Sequence, residues 1–165
     1  MWSWHTFWMI LHIMGAVVAF GPMYSQPLIG LLGRRNPQHA VLAAEISEAI
    51  ASRVTFPAAI TLAFTGWGLI VSEDIGFFDN AWLWVSVLLY AIALVFGFTV
   101  QRANASRMLG LLRSGPGVPP AGQQRPPSEM AALARRLNLG VVFLTLIVTA
   151  IFVLMIWQPG GVAPE

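Results

Sequence analysis

The stretch LNLGVVFLTLIVTAIFVLMIW, Leu137 to Trp157, contains no Asp, Glu, Lys or Arg. About 20 apolar residues in a helix cross a hydrocarbon core about 30 Å thick, so this run is long enough to span a membrane. Three more runs of the same kind precede it. They are AWLWVSVLLYAIALVFGFTV (Ala81 to Val100), VTFPAAITLAFTGWGLIV (Val54 to Val71), and a longer one from His5 to Leu32. The whole chain agrees with its parts. Of its 165 residues 57% are hydrophobic and only 10% charged, against about 25% charged in soluble domains. Too little polar surface remains to cover a globule in water. The expected fold is an all-α bundle of four transmembrane helices, near residues 5–32, 54–71, 81–100 and 137–157, forming one domain over residues 1–165.

The ends of these helices carry their own signals. Asn36-Pro37 reads as an N-cap followed by proline at the first helical position. The second helix is therefore expected to begin near Pro37, outside the bilayer. Leu42, Ile46 and Ile50 there give one apolar face, with Glu45 and Glu48 off it. Pro57 should kink this helix, because it cannot donate a backbone hydrogen bond. Ser128 is a candidate cap for the last helix, with Glu129 in its first turn. The segment RSGPGVPPAGQQRPP, Arg113 to Pro127, reads as a flexible linker.

Charge sets the expected orientation. All nine basic residues are arginines. Arg34, Arg35 and Arg53 fall between the first two spans. Arg102, Arg107, Arg113, Arg125, Arg135 and Arg136 fall between the last two. The loop between spans two and three holds Glu73, Asp74 and Asp79 and no base. All seven tryptophans, which favour the membrane–water interface, fall toward this acidic side. By the positive-inside rule, both termini are expected outside and both Arg-rich loops in the cytoplasm, in a bacterial inner membrane. The basic residues follow topology, so no nucleic-acid partner is expected. Absence of cysteine excludes disulfides and thiolate metal sites.

His12 is the residue that invites a function. An ionisable side chain inside a membrane is costly, faces the bundle interior and needs a partner. One reading makes it a cofactor or metal ligand. The other makes it a neutral imidazole bonded to Thr61, Thr65, Tyr90 or a backbone carbonyl of a neighbouring helix. Met1, His5, Met9 and His12 recur at spacings of four, four and three, one stripe on a helix. Imidazole and thioether together suit a soft ion such as Cu(I), and the same stripe serves equally as packing. His5 and His12 lie about 10 Å apart along one helix, so they cannot ligate opposite faces of one haem. A haem on His12 needs a methionine, an open sixth position or a second copy of the chain.

Two other features have structural readings. GPMYSQPLIG, Gly21 to Gly30, is either a broken helix beside a polar cavity or a kinked helix end. Gly66, Gly68 and Gly97 permit close helix contact. The spans carry no charged residue for a substrate or coupling ion, which speaks against a transporter. Their apolar faces are left for lipid, a homo-oligomer or a larger membrane complex.

Three phrases together point to a family. They are LHIMGAVVAFGP (Leu11 to Pro22), RVTFPAAITLAFTGWGLI (Arg53 to Ile70) and AWLWVSVLLYAIALVFGF (Ala81 to Phe98). Their order resembles a family of small bacterial predicted integral membrane proteins of unknown function, number two-two-six-nine in the domain-of-unknown-function series. That family is similar in turn to the haem-binding membrane protoporphyrinogen oxidase and to the copper-resistance D group. In the oxidase a first-span histidine is the haem ligand, so the resemblance implies haem b on His12. This chain lacks the oxidase's basic residue after the opening tryptophan of span three, where it reads Trp82-Leu83-Trp84-Val85-Ser86. It also has no bundle histidine beyond His5 and His12. The resemblance therefore implies haem or copper binding without porphyrinogen oxidation.

Overall fold

The computed structural model describes residues 3–35, 37–73, 76–114 and 127–159. Among these residues all regular structure is helical. Four long helical rods, Trp4–Gly33, Ala40–Ser72, Ala81–Arg113 and Glu129–Trp157, are each apolar enough to cross a membrane. The first rod is α1 (Trp4–Phe20), a 3₁₀ turn (Gly21–Ser25) and α2 (Gln26–Arg35). After a 3₁₀ turn at Pro37–His39 the second follows as α3 (Ala40–Ile50), a π turn (Ala51–Thr55) and α4 (Phe56–Glu73). The third comprises α5 (Ala81–Phe96), a π turn (Gly97–Gln101) and α6 (Arg102–Arg113), and the fourth is α7 (Pro127–Trp157).

The rods run to 33 residues, or about 50 Å at 1.5 Å per residue. They exceed the expected spans because the helices continue past the arginines. Arg53 and Arg102 lie within continuous helix, so a charge marks a level along a rod and does not end it. The second rod adopts 3₁₀ geometry at Pro37 and becomes α-helical at Ala40. The expected cap Asn36 and most of the expected linker, 115–126, lie outside the described residues, as do Met1 and Trp2. The first helix has a cap that the sequence reading did not single out: the Ser3 Oγ accepts from the Thr6 N–H at 3.1 Å.

Proline explains the first two irregularities. Pro22 opens the 3₁₀ turn in rod one, and the Ser25 hydroxyl donates back to the Pro22 carbonyl at 2.7 Å. Tyr24 beside it is 57% exposed, so this segment is a kink with its tyrosine on the outside. Pro57 cannot donate to the Arg53 carbonyl, and the preceding turn widens so that the Phe56 N–H reaches the Ala51 carbonyl. Rod three has a matching π turn with no proline, where the Arg102 N–H reaches the Gly97 carbonyl. The two π turns meet. Phe56 and Phe98 stack with centroids 4.2 Å apart, and a Cβ on Gly97 would sit 3.7 Å from the Phe56 ring.

The rods pair as two antiparallel hairpins. In the first, α1 lies along α4, and α2 along α3 with Gly33 against Ala43. In the second, Gln101 Nε2 donates to the Leu137 carbonyl at 3.2 Å, and Phe96 meets Phe143 edge-on at 4.8 Å. Between hairpins, the Tyr90 hydroxyl donates to the Ala59 carbonyl. Phe20 meets Tyr90 at 6.5 Å and Phe152 at 5.8 Å. Small or aliphatic residues such as Ala19, Ala59, Leu62, Val148 and Ile151 fill the centre, while Phe64, Val95 and Leu146 stand well exposed on the outside. That distribution suits a bundle solvated by lipid.

Antiparallel pairing gathers the charges at one end. Arg35, Arg53, Arg102, Arg107, Arg113, Arg135 and Arg136 all lie in the rod halves nearest the Pro37–His39 turn. Two ion pairs tie this end together: Arg113 to Glu45 at 3.0 Å and Arg107 to Glu129 at 2.7 Å. Trp4, Trp8, Trp67, Trp82, Trp84 and Trp157 lie toward the opposite end.

Candidate functional site

The face of α1 that meets α4 carries Trp8, His12 and Gly15, spaced four and three as one side of a helix requires, and buried Ala19 follows four residues on. Opposite it α4 offers glycines. A Cβ on Gly68 would fall 2.6 Å from the Trp8 indole, and one on Gly66 would fall 3.1 Å from His12 Cε1. On Gly15 it would touch Leu62 at 3.4 Å. Gly66 and Gly68, read in the sequence as packing residues, are the seats for the two largest side chains of α1's inner face.

His12 is half-buried, and its Nδ1 lies 3.0 Å from the Thr65 Oγ1. Thr65 is 2% exposed, and its hydroxyl donates to the Leu62 carbonyl one turn back at 3.1 Å. Of the imidazole, Cε1 and Nδ1 come within 4 Å of the Gly66 Cβ position. The Nδ1–Cε1 edge therefore faces α4 at Gly66, and Nε2 lies beyond 4 Å of that position. Thr65 is one of the four partners that the sequence suggested for His12. A backbone carbonyl is a second one, since His12 also engages that of Leu62, whereas Thr61 donates to the Pro57 carbonyl at 3.0 Å and Tyr90 is committed to Ala59.

His5 and Met9 lie on α1 toward the Trp end. His5 is half-buried, and Met9 is 42% exposed on the outside of the helix. Met9 thus leaves the face on which His12 packs. No group of three His, Asp or Glu side chains converges among the described residues. His39 lies in the turn between the first two rods.

Beyond His12 along α1 is an apolar notch of about 280 Å³, lined by Leu11, Met14, Gly15, Val18, Ala58 and Thr61. Ligand pockets commonly occupy about 300–1,000 Å³, so this notch is small. Leu11, Met14 and Val18 are 39%, 58% and 46% exposed, which leaves its wall open to lipid or to a partner. Two buried polar atoms lie elsewhere without a hydrogen-bond partner among the described residues. They are Trp82 Nε1 and Gln101 Oε1.

The family model described as a predicted integral membrane protein (DUF2269) matches residues 6–159. The chain belongs to that family. The DUF2269 match takes in all four rods and with them His12, Thr65, Gly66 and Gly68. No curated protein and no solved structure matches this chain.

Proposed function

We propose that this DUF2269 protein holds a haem b on His12 within the membrane and works in electron transfer or haem handling. The observation that supports this reading is the anchoring of the imidazole through Nδ1 by Thr65. Ligating histidines characteristically have their second nitrogen held in this way, with the first left for the metal. The donor chemistry suits haem iron. Enclosure is incomplete: the apolar notch with Leu11, Met14 and Val18 is a neighbour along α1 that His12 does not line. A second copy of the chain, or a larger membrane complex, would complete the site. His12 would hold the iron through Nε2, and a bound haem supplies one-electron redox chemistry there. Thr65 and Gly66 orient the ring.

The Arg-rich end is assigned to the cytoplasm of a bacterial inner membrane on the positive-inside rule. A copper-handling role using His5, Met9 and His12 is the rival cofactor reading. The Nδ1–Thr65 bond also supports a third reading, in which His12 only satisfies its neighbour in a non-catalytic membrane subunit.

The test is the oxidised and reduced visible spectrum of the protein purified from its native membranes in mild detergent, beside His12→Ala. A Soret band with sharpened reduced bands, lost in the variant, is expected. A colourless, folded protein would overturn the haem reading. Copper content, compared between the protein and a His5→Ala/Met9→Ala double variant, then separates metal handling from packing.

A further inference from the structure

We propose that Thr65 is a positioning residue that locks His12 as its Nδ1–H tautomer, so that Nε2 carries the lone pair before any ligand arrives. The argument is an inventory of protons. A threonine hydroxyl has one proton to donate and two lone pairs with which to accept. The Thr65 hydroxyl lies 3.1 Å from the Leu62 carbonyl, which His12 also engages; a carbonyl oxygen can only accept, so we assign the Thr65 proton to it. Toward His12 the same hydroxyl can then only accept, so at 3.0 Å the proton between them belongs to Nδ1. Neutral imidazole has a single N–H, which leaves Nε2 bare.

Three features of the site keep that arrangement in place. Thr65 is 2% exposed, so water does not compete for its hydroxyl. A β-branched side chain on a helix has few rotamers, and the bond to the i−3 carbonyl fixes the one used. Gly66 lets the ring lie close enough that its Nδ1–Cε1 edge cannot turn away without losing the contact. Thr65 acts through His12 and touches no ligand itself. The inference rests on reading His12 as a ligand for its purpose, but the tautomer can be measured in the metal-free protein.

The experiment is nitrogen-15 magnetic resonance of histidine-labelled, metal-free protein in lipid vesicles, with His12 assigned by its loss in His12→Asn. Expected for His12 are a protonated Nδ1 and an unprotonated Nε2. Thr65→Ser keeps the hydroxyl and should keep this pattern. Thr65→Val keeps the shape and removes the acceptor, and should lose the unprotonated Nε2 signal in whole or large part. An Nε2–H tautomer in the unaltered protein would overturn the inference, as would a Thr65→Val spectrum identical to it. Haemin added to the same vesicles tests the other reading separately. An Nδ1–H tautomer without a haem spectrum leaves the role of Thr65 standing and removes the haem.

Discussion

Replacing Gly68 with alanine should loosen the seat between α1 and α4 by a predictable amount. The new Cβ would lie 2.6, 2.7 and 2.9 Å from three carbons of the Trp8 indole. Carbon atoms pack best at about 3.5–4.0 Å, so the indole must retreat by about 1 Å or the helices must part. Overpacking of this kind costs about 1–3 kcal/mol. Helix propensity hardly offsets it, because membrane helices remain formed when they separate. Gly30→Ala is the control, since a Cβ there meets nothing within 4 Å. Unfolding equilibria in mixed micelles of mild detergent and SDS, followed by tryptophan fluorescence, compare the two. Gly68→Ala should be less stable than Gly30→Ala by about 1–3 kcal/mol. Equal midpoints would mean that Trp8 is not seated on Gly68, and would remove the case for a close α1–α4 interface.

Two further substitutions probe the rest of the bundle. Gln101 spends one amide hydrogen bond on Leu137 while its Oε1 is buried without a partner among the described residues. Gln101→Met should therefore cost less than about 1 kcal/mol, because it removes an unsatisfied acceptor along with the bond; a loss above about 2 kcal/mol in the same micelle assay would mean that Oε1 has a donor in the membrane. The Arg113–Glu45 pair is well exposed, at 60% and 42% of its side chains, so a double-mutant cycle with Arg113→Ala and Glu45→Ala should give a coupling below about 1 kcal/mol that fades with salt. A coupling of several kcal/mol would show that this end is shielded from water by a partner.

The four rods were legible because apolar length leaves a chain of this composition few alternatives. Thr65 was legible as one of several partners, since a polar group buried among hydrocarbons must bond to something on a neighbouring helix. What the sequence did not show was the face. Met9 and His12 share a stripe with His5, yet α1 turns Trp8, His12 and Gly15 toward α4. That choice is made by Gly66 and Gly68 on the other helix, whose lack of side chains matters only once the two are aligned. The π turns were equally hidden. Pro57 signals a lost hydrogen bond but not how the backbone will recover, and Gly97 signals nothing until Phe56 is stacked on Phe98. Spans and helices differ in length for another reason: arginine marks where water begins, and these helices continue past it, as the expected start near Pro37 already implied for the second.

Every contact named for His12 comes from the first hairpin: Thr65 and Gly66, with Leu62 behind them and Trp8 on Gly68 beside them. The second hairpin closes through its own bonds and rings, and reaches the first through α6 packed on α3 with the Arg113–Glu45 pair, and through Phe20, Tyr90 and the Phe56–Phe98 stack. The histidine's named surroundings are thus all encoded between Trp8 and Gly68, ahead of α5 and α7 in the chain. The site is local in sequence, so one hairpin carries every named part of the seat.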